Sequence, residues 1–334
     1  MDFHLEFSPK IFGTTIRHQD HLMLIGSCFT EQIGNKLAKH KFRVLDNPNG
    51  ILFNPISITK SIHSYIVKRQ YQEADLFYQN ECWNSWEHHS RFSNPDKEQC
   101  LLLINESQNR ANSFLRQADW LLLTLGSAFV YEIVPLKATE QPFVVANCHK
   151  VPTDKFSKRL LSEREVLNSL LEMTHALVKF NPELKIIFTI SPVRHIREGF
   201  VENNRSKAIL INAVHQITGR HVFYFPAYEL VIDDLRDYRF YAEDMVHPNY
   251  IATNYVWDKF VTTCIDEGSR NLMKEIKEIT AAFNHKAFNP ASEAHRKFKI
   301  IYSQKVEQLM EKYPYLQLEK EFEYFKQGVG SSTE

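Results

Sequence analysis

A serine at the start of a helix-like segment is the first residue in the chain that could do chemistry. Ser27 directly follows the apolar run 21–26 and opens a segment with helical periodicity. Its hydroxyl would lie at a helix N-terminus, where backbone N–H groups without helical partners favour a developing negative charge. A hydroxyl beside such donors is half of an acyl-transfer site. Serine is also a preferred N-cap residue, so a purely structural capping role is the alternative.

A serine nucleophile needs a base, and Asp244 and His247 form a candidate pair. They stand three residues apart in YAEDMVHPNY, just before a predicted helix. At that spacing Asp244 could accept a hydrogen bond from Nδ1 of His247 and leave Nε2 to take the serine proton. In a chain with 15 His, an Asp-x-x-His pair arises about once by chance. Only its position in the fold can therefore indicate whether this pair belongs to a catalytic site.

Cys28 is a second candidate nucleophile because it is adjacent to Ser27. Consecutive residues of a helix point about 100° apart, so only one of the two can face a given substrate atom. We expect Cys28 to pack toward the interior as a small apolar side chain. The chain has five cysteines and no Cys-x-x-Cys pair, which favours a reducing, cytoplasmic setting without structural disulfides.

Four short apolar runs predict the strands that must position these residues. The runs cover 21–26, 119–126, 184–191 and 221–227. They do not alternate polar with apolar residues, so both faces of each strand should be buried. Helical patterns lie between the runs. This alternation is typical of an α/β fold in which helices cover both faces of a parallel sheet, with ligands at the carboxyl ends of the strands.

Helix boundaries can be predicted at two of the intervening segments. Ser162 and Glu165 form a capping-box pattern at the start of one helix. Pro248 is predicted in the first turn of another, because proline is tolerated there.

The chain is predicted to consist of an α/β domain over 1–266 and a helical extension over 267–334. The extension is rich in charge, with two predicted helices broken near Pro290 and a third around 317–327. We expect these helices to pack on the domain or on a partner subunit, where they could form a homodimer.

The composition argues against two classes of partner. Lys+Arg and Asp+Glu are balanced at 40 each, and no basic stripe suggests nucleic acid or an anionic membrane surface. The longest apolar runs are far shorter than the roughly 20 residues of a membrane span.

Several short segments between about residues 20 and 265 form a distinctive set, which includes GSCFT, GILFNPISI, HHSRFS, LGSAFVYE, FTISPVRH and LRDYRFYAEDMVHP. Together they resemble the bacterial GSCFA family, which is similar in turn to the SGNH (GDSL-like) hydrolases. The resemblance implies a flavodoxin-like, three-layer α/β/α sheet. It also implies Ser27 as the nucleophile, His247 as the base and Asp244 as the residue that orients the base.

The sequence departs from the SGNH pattern at the donors of the oxyanion hole. The resemblance implies Gly50 as the second donor, beside the N–H of Ser27. The third block of SGNH enzymes carries Gly-x-Asn, whereas this chain has Gly126 and Ser127 with no Asn following. Ser127 and Asn54 are the candidate replacements. Loss of one such donor costs about two to three orders of magnitude in rate.

A predicted substrate pocket gathers aromatic, histidine and arginine side chains. Its members are Trp86, His89, His149, Arg194 and His195. Aromatic and imidazole faces could stack on an apolar or sugar-like group, and Arg194, at the end of a strand, could hold an anion. Core packing is the alternative for the tryptophan.

We therefore expect a serine-dependent hydrolase (an esterase) or acyltransferase that acts on an O-acyl ester, such as an acylated carbohydrate or a small metabolite. No metal and no cofactor is predicted, because no His or Cys pair has a recognised zinc spacing. Two alternatives stay open. One is a non-catalytic SGNH-like binding module with an incomplete oxyanion hole, and the other is a metal-dependent hydrolase built on the His- and Cys-containing loops.

Overall fold

The computed structural model of the chain describes residues 4–134 and 141–327, which contain ten strands and ten helices. The strands are β1 (His21–Gly26), β2 (Arg43–Asp46), β3 (Phe77–Gln79), β4 (Cys82–Asn84), β5 (Trp120–Leu125), β6 (Phe129–Ile133), β7 (Phe143–Val145), β8 (Phe156–Leu160), β9 (Lys185–Ile190) and β10 (Val222–Tyr224). The helices are α1 (Cys28–Lys39), α2 (Pro55–Ile66), α3 (Lys97–Gln117), α4 (Glu163–Phe180), α5 (Phe200–Ile217), α6 (Ala227–Glu229), α7 (Tyr250–Cys264), α8 (Glu267–Phe283), α9 (Glu293–Lys312) and α10 (Glu319–Lys326).

The central sheet has five parallel strands in the order β10-β9-β5-β1-β2. When these five strands are numbered 1 to 5 along the chain, the order β2-β1-β5-β9-β10 reads 2-1-3-4-5, which is the flavodoxin-like order. In such sheets ligands bind at the carboxyl ends of the strands, at the point where the strand order reverses. That point lies between β1 and β5. The order confirms the predicted three-layer α/β/α class.

The central strands do not alternate polar and apolar residues, because each face of the sheet packs against a separate hydrophobic core. In β1, Leu22 and Leu24 belong to the core that α1 and α7 cover, whereas Met23 and Ile25 belong to the core under α2, α3, α4 and α5. All four side chains are at most 1% exposed. Burial of each stabilises the fold by about 1.5–3 kcal/mol.

The sequence predicted four of the five central strands and missed several other elements. The missed elements are β2, α2, α3, the hairpin β3–β4 and an antiparallel sheet of order β7-β6-β8. The capping box of α4 is confirmed, since Ser162 and Glu165 exchange side-chain and backbone hydrogen bonds. The placement of Pro248 is wrong by a few residues. Asn249 caps α7 by accepting from the N–H of Ala252, so the proline precedes the cap.

The C-terminal helices α8, α9 and α10 share a hydrophobic cluster of their own. They attach to the amino edge of the sheet, where the N–H of His18 donates to Ser269 Oγ at 2.7 Å and Lys41 pairs with Glu321 at 2.6 Å. The division into 1–266 and 267–334 remains our proposal, and residues 1–3, 135–140 and 328–334 of it lie outside the described residues. Among the described helices, none is long and apolar enough to cross a membrane.

A buried lysine holds the carboxyl ends of β5 and β9. Lys207, on α5, is 1% exposed, and its Nζ donates to the carbonyl oxygens of Gly126 at 2.6 Å and of Ser191 at 2.7 Å. These residues directly follow the two strands. Burial lowers the pKa of Lys207 to about 7. The ammonium group is tolerated in the interior because it is hydrogen-bonded there.

We expect Gly26→Ala to destabilise the protein by about 1–3 kcal/mol or more, because an added methyl group has no room. A Cβ on Gly26 would lie 2.5 Å from the carbonyl oxygen of Thr124 and 2.6 Å from Thr30 Oγ1. Thermal unfolding followed by circular dichroism measures the effect. Gly219→Ala is the matched control, since a Cβ there meets nothing within 4 Å. Equal melting of the two variants would contradict the prediction.

We expect the free energy of unfolding to rise with pH in the wild type and less so in Lys207→Met. The pKa of Lys207 is about 7 in the folded chain, against an ordinary value of 10.5. Between these values the unfolded chain binds more protons, so burial of the lysine is most unfavourable below pH 7 and becomes harmless as the pH rises toward 10.5. Between pH 6 and pH 9 the wild type should gain about 2 kcal/mol over the variant.

Urea unfolding at several pH values measures this difference. Lys274→Met, which removes an exposed lysine, is the control and should follow the wild type. Parallel pH curves for the wild type and Lys207→Met would show that the lysine does not titrate in this range.

Candidate active site

Ser27 occupies the N-cap position of α1, but its hydroxyl does not cap the helix. Its Oγ instead donates to Ser191 Oγ at 3.2 Å, and the residue is only 3% exposed. The carbonyl oxygen of Ser27 accepts the N–H of Thr30 at 2.9 Å, as expected at a helix start. The structure therefore argues against a capping role and leaves the hydroxyl available for chemistry.

A loop that follows β2 fixes the end of β1 just before Ser27. Asn47 Oδ1 accepts the N–H of Gly26 at 2.8 Å, and the carbonyl oxygen of Gly26 accepts the N–H of Leu52 at 3.1 Å. Both polar groups of Gly26 are thus held by the loop. The nucleophile candidate consequently begins its helix from a rigid position.

Asp244 and His247 form the predicted hydrogen-bonded pair. His247 Nδ1 lies 2.6 Å from Asp244 Oδ2, and the other carboxylate oxygen accepts the N–H groups of Val246 and His247 at 2.9 and 3.0 Å. The backbone and side-chain hydrogen bonds from His247, with that from Val246, lower the pKa of Asp244 to about 2. The pair is half-exposed, and with Nδ1–H donating to the carboxylate, Nε2 is free to accept a proton.

One short segment after β9 contacts both halves of the predicted triad. Ser191 meets the hydroxyl of Ser27, and three residues later the N–H of Arg194 donates to the carbonyl oxygen of Val246 at 3.2 Å. The loop that carries the acid–histidine pair is thereby tied to the strand end that Ser27 touches. Among the described residues, Ser27 Oγ makes no hydrogen bond to His247.

Two of the predicted oxyanion donors are engaged elsewhere. The N–H of Gly50 donates to the carbonyl oxygen of Asn47 at 2.8 Å, and its positive φ of 83° belongs to that turn. Asn54 caps α2, because its Oδ1 accepts from the N–H of Ser57 at 2.8 Å and its Nδ2 donates to Ser57 Oγ at 3.0 Å. The N–H of Gly50 is thus engaged in its own turn, whereas the Asn54 amide, which has two N–H groups, uses one of them at the cap. The roles of both residues in an oxyanion hole stay predictions.

Ser127, the third predicted replacement donor, is also occupied. Its N–H donates to the carbonyl oxygen of Phe53 at 3.2 Å, and its Oγ lies 3.3 Å from Ser206 Oγ and accepts the N–H of Phe129 at 3.0 Å. It is 3% exposed. The hydroxyl therefore stabilises the turn into β6. The N–H of Ser27 keeps its predicted place at the N-terminus of α1.

Cys28 is only half-buried, so the expectation that it packs into the interior is wrong. The pKa of its thiol is raised, chiefly by burial and further by the charges of Glu31 and Asp244. A raised pKa keeps the sulfur as the weakly nucleophilic thiol at neutral pH. The chemistry therefore favours Ser27 over Cys28 as the nucleophile.

The predicted substrate pocket separates into three parts. Trp86 stacks on Phe77 at 3.6 Å between ring centroids and packs edge-on against His149 and Phe156. His149 Nε2 bonds to the carbonyl oxygen of Ser85 at 2.8 Å. These contacts give Trp86 and His149 a packing role, which is the alternative stated for the tryptophan. The side chain of His89 packs against Gly50, and its Nδ1 accepts the N–H of Arg91.

Arg194 and His195 lie at the strand rim itself. The guanidinium group of Arg194 is 4.1 Å from the ring centroid of Tyr241 and 4.9 Å from that of Tyr238. Its Nη1 is buried without a partner among the described residues, and no carboxylate of that part of the chain pairs with it. Arg194 can therefore receive an anionic group. His195 stacks on Phe53 with ring centroids 5.3 Å apart.

Sequence reasoning missed Lys207, and it gave Ser191 no role beyond its place at the carboxyl end of a predicted strand. Both stand in segments with a visible signal: Ser191 ends the predicted strand 184–191, and Lys207 is an ionisable residue within a predicted helix. Neither signal distinguishes a site residue from an ordinary one, because the contacts that matter come from other elements. Over residues 4–134 and 141–327, no three His, Cys, Asp or Glu side chains lie together where they could hold a metal ion.

Comparison with known proteins finds a family for the chain and distant likenesses to solved structures. A comparison with curated proteins gives no match. A carbohydrate esterase family 3 from Talaromyces cellulolyticus is 10% identical, with 78% of this chain and 99% of that chain covered and a TM-score of 0.37. An acetyl esterase mutant with an acetate ion is 11% identical, with 78% and 100% covered and a TM-score of 0.35.

The sequence models of the GSCFA family and of the GSCFA domain protein C-terminal domain match residues 21–260 and 276–329, respectively. The first match spans the central sheet, Ser27 and the Asp244–His247 pair. The resemblance predicted from the sequence is therefore confirmed, and the chain belongs to the GSCFA family.

Proposed function

We propose that the protein is a serine-dependent hydrolase or acyltransferase that acts on an O-acyl ester. One observation carries the proposal: the Ser27 hydroxyl, at a helix N-terminus, leaves the cap unused and bonds to Ser191, on the segment that also holds the Asp244–His247 loop. A serine, a histidine and an aspartate tied to one rim are the parts of an acyl-transfer site.

The reaction begins when the Ser27 side chain turns from Ser191 toward His247. Hydrogen bonds between catalytic groups are often unformed without substrate, so the present geometry is compatible with this step. As Oγ bonds to the ester carbonyl carbon, its proton passes to His247 Nε2. The tetrahedral intermediate then collapses, the carbon–oxygen bond to the alcohol breaks, and His247 returns the proton to the leaving oxygen.

The acyl-enzyme is resolved by the same groups in reverse. Water or an acceptor hydroxyl gives its proton to His247 and attacks the acyl carbon, and Ser27 leaves as the restored alcohol. Asp244 stays ionised throughout, because its pKa of about 2 lies far below neutral pH. Its charge stabilises the imidazolium form of His247 and fixes the tautomer.

A second candidate function is a non-catalytic binding module with an SGNH-like pocket. The specific observation in its favour is the engagement of Gly50, Ser127 and Asn54 in hydrogen bonds of their own. A site without a competent oxyanion hole could still bind an ester without cleaving it. This candidate predicts that a fluorophosphonate probe, which reacts with activated serines, does not label the protein.

We expect a fluorophosphonate probe to label the wild-type protein at Ser27, because the probe reacts with activated serines. Ser27→Ala should lose the label, and mass spectrometry of peptides should locate the adduct on Ser27 rather than on Cys28. Cys28→Ala is the matched control and should retain labelling. Absence of label in folded wild-type protein would reject the enzyme proposal in favour of the binding module.

We expect Asp244→Asn to lower the labelling rate by about 10⁴-fold, because an amide at this position no longer fixes the tautomer of His247 that accepts the serine proton. Asp237→Asn is the control, since Asp237 is an acidic residue of the same connection that hydrogen-bonds to the N–H of Arg239. The rate is measured at neutral pH by stopped-time labelling. Equal rates for the two variants would remove Asp244 from the mechanism.

A further inference from the structure

The buried polar atoms at the rim that lack a hydrogen-bond partner among the described residues include Nε2 of His195. Its Nε2 is buried, and no hydrogen bond to it occurs within the described parts of the chain. A buried polar nitrogen left unpaired destabilises the fold. Such a cost is expected where the atom serves a bound group. A role for this nitrogen rests on the proposed function, because the oxyanion hole of that function lacks a donor.

The position of His195 Nε2 follows from the order of the strands. Strand β5 lies between β1 and β9, so Gly126 at its end lies between Ser27 and Ser191, whose hydroxyls meet at 3.2 Å. His195 Nε2 is 3.0 Å from the point that a Cβ on Gly126 would occupy. The unpaired nitrogen therefore lies against the strand end that the serine hydroxyls flank.

The ring is held in this place from two sides. One face stacks on Phe53, and the backbone N–H of His195 donates to Asn203 Oδ1 at 2.9 Å. Glycine at position 126 leaves the space into which the ring fits. A ring fixed in this way against a strand end is the arrangement that a preorganised hydrogen-bond donor requires.

His195 stays neutral under all ordinary conditions. Burial, with the charges of Lys207, His247 and Lys158, lowers its pKa to about 3. A neutral imidazole carries one N–H and can donate a hydrogen bond without adding charge to the site. Neutral histidines serve as electrophiles in other enzymes for this reason. When His247 takes the serine proton, its new charge further opposes protonation of His195.

We propose that His195 donates from Nε2–H to the oxyanion that forms when Ser27 attacks an ester carbonyl. The carbonyl π electron pair moves onto oxygen as the Oγ–carbon bond forms, and the proton of Ser27 passes to His247. His195 keeps its proton and supplies a hydrogen bond that strengthens as the charge develops. It thus performs the role that the third-block Asn has in the SGNH pattern, from which this chain departs after Gly126.

The test measures hydrolysis of p-nitrophenyl acetate by the wild type, His195→Ala and His195→Gln. Removal of one oxyanion donor lowers kcat by about 10²–10³-fold. We therefore expect that fall in His195→Ala with KM little changed, because the bond forms mainly in the transition state. His195→Gln keeps an N–H donor on a shorter side chain and should recover part of the lost kcat. If His195→Ala fails to fold, the kcat of His195→Gln provides the test.

His18→Gln is the matched control. His18 is another buried histidine, 3% exposed, whose pKa is lowered by burial and which lies at the amino edge of the sheet. It should keep the wild-type kcat, which separates the loss of a donor from the loss of any buried imidazole.

The outcomes for His195 and for the proposed function are distinct. If the wild type is labelled at Ser27 and hydrolyses the ester, an unchanged kcat in His195→Ala overturns the role of His195 alone. A raised KM with unchanged kcat overturns it as well, because it indicates a contact to the ground state. If the wild type is neither labelled nor active, the proposed function fails and the role of His195 fails with it.

Discussion

A single buried ammonium group sets the geometry of the active rim. Beyond the last paired residue of a parallel strand, backbone carbonyls lose their partners, and an unpaired buried carbonyl is costly. Lys207 supplies donors to two such carbonyls, those of Gly126 and Ser191, and so fixes the distance between the ends of β5 and β9. The Ser191 side chain then meets Ser27 from the other neighbour of β5. The surroundings of Ser27 thus depend on Lys207, which bonds to the strand ends and not to Ser27 itself.

Close packing at this rim explains why small residues recur at the strand ends. Gly26 lies against the Thr124 backbone, and Gly126 lies against Phe53 and His195. The carbonyl oxygen of Phe53 accepts the N–H groups of both Gly126 and Ser127, so the loop before α2 closes the end of β5. A larger side chain at either glycine would displace the elements on which the serine and the histidine depend. The rim is consequently built from backbone contacts as much as from side chains.

The sequence predicts the elements of this site better than its hydrogen bonds. Runs such as 21–26 are recognisable because both faces of the strand are buried, and Asp244 and His247 are recognisable because their bond is local, three residues apart. The strand β2 is short and partly exposed, so its pattern does not stand out. The partners of Gly50, Asn54 and Ser127 come from turns and caps that no periodicity reveals.

Separation along the chain hides the roles of Ser191 and His195 from a sequence pattern. The contact between Ser27 and Ser191 joins residues 164 positions apart, at the ends of two strands that β5 separates in the sheet. Cys28 shows that prediction from the sequence can also fail for a neighbouring residue. Helix geometry predicts an interior position for Cys28, whereas the residue is half-buried, because its exposure depends on loops far away in the chain.

The helical extension attaches at the opposite edge of the sheet from the nucleophile. His18 and Lys41, which contact α8 and α10, precede β1 and β2, whereas Ser27 follows β1. A strand of six residues separates the two edges by about 20 Å. A second subunit or another protein that binds the extension would therefore leave the Ser27 edge of the sheet uncovered. Contacts to the extension and contacts around Ser27 thus lie at separate edges of the sheet, and residues at either edge can change during evolution without disturbing the other.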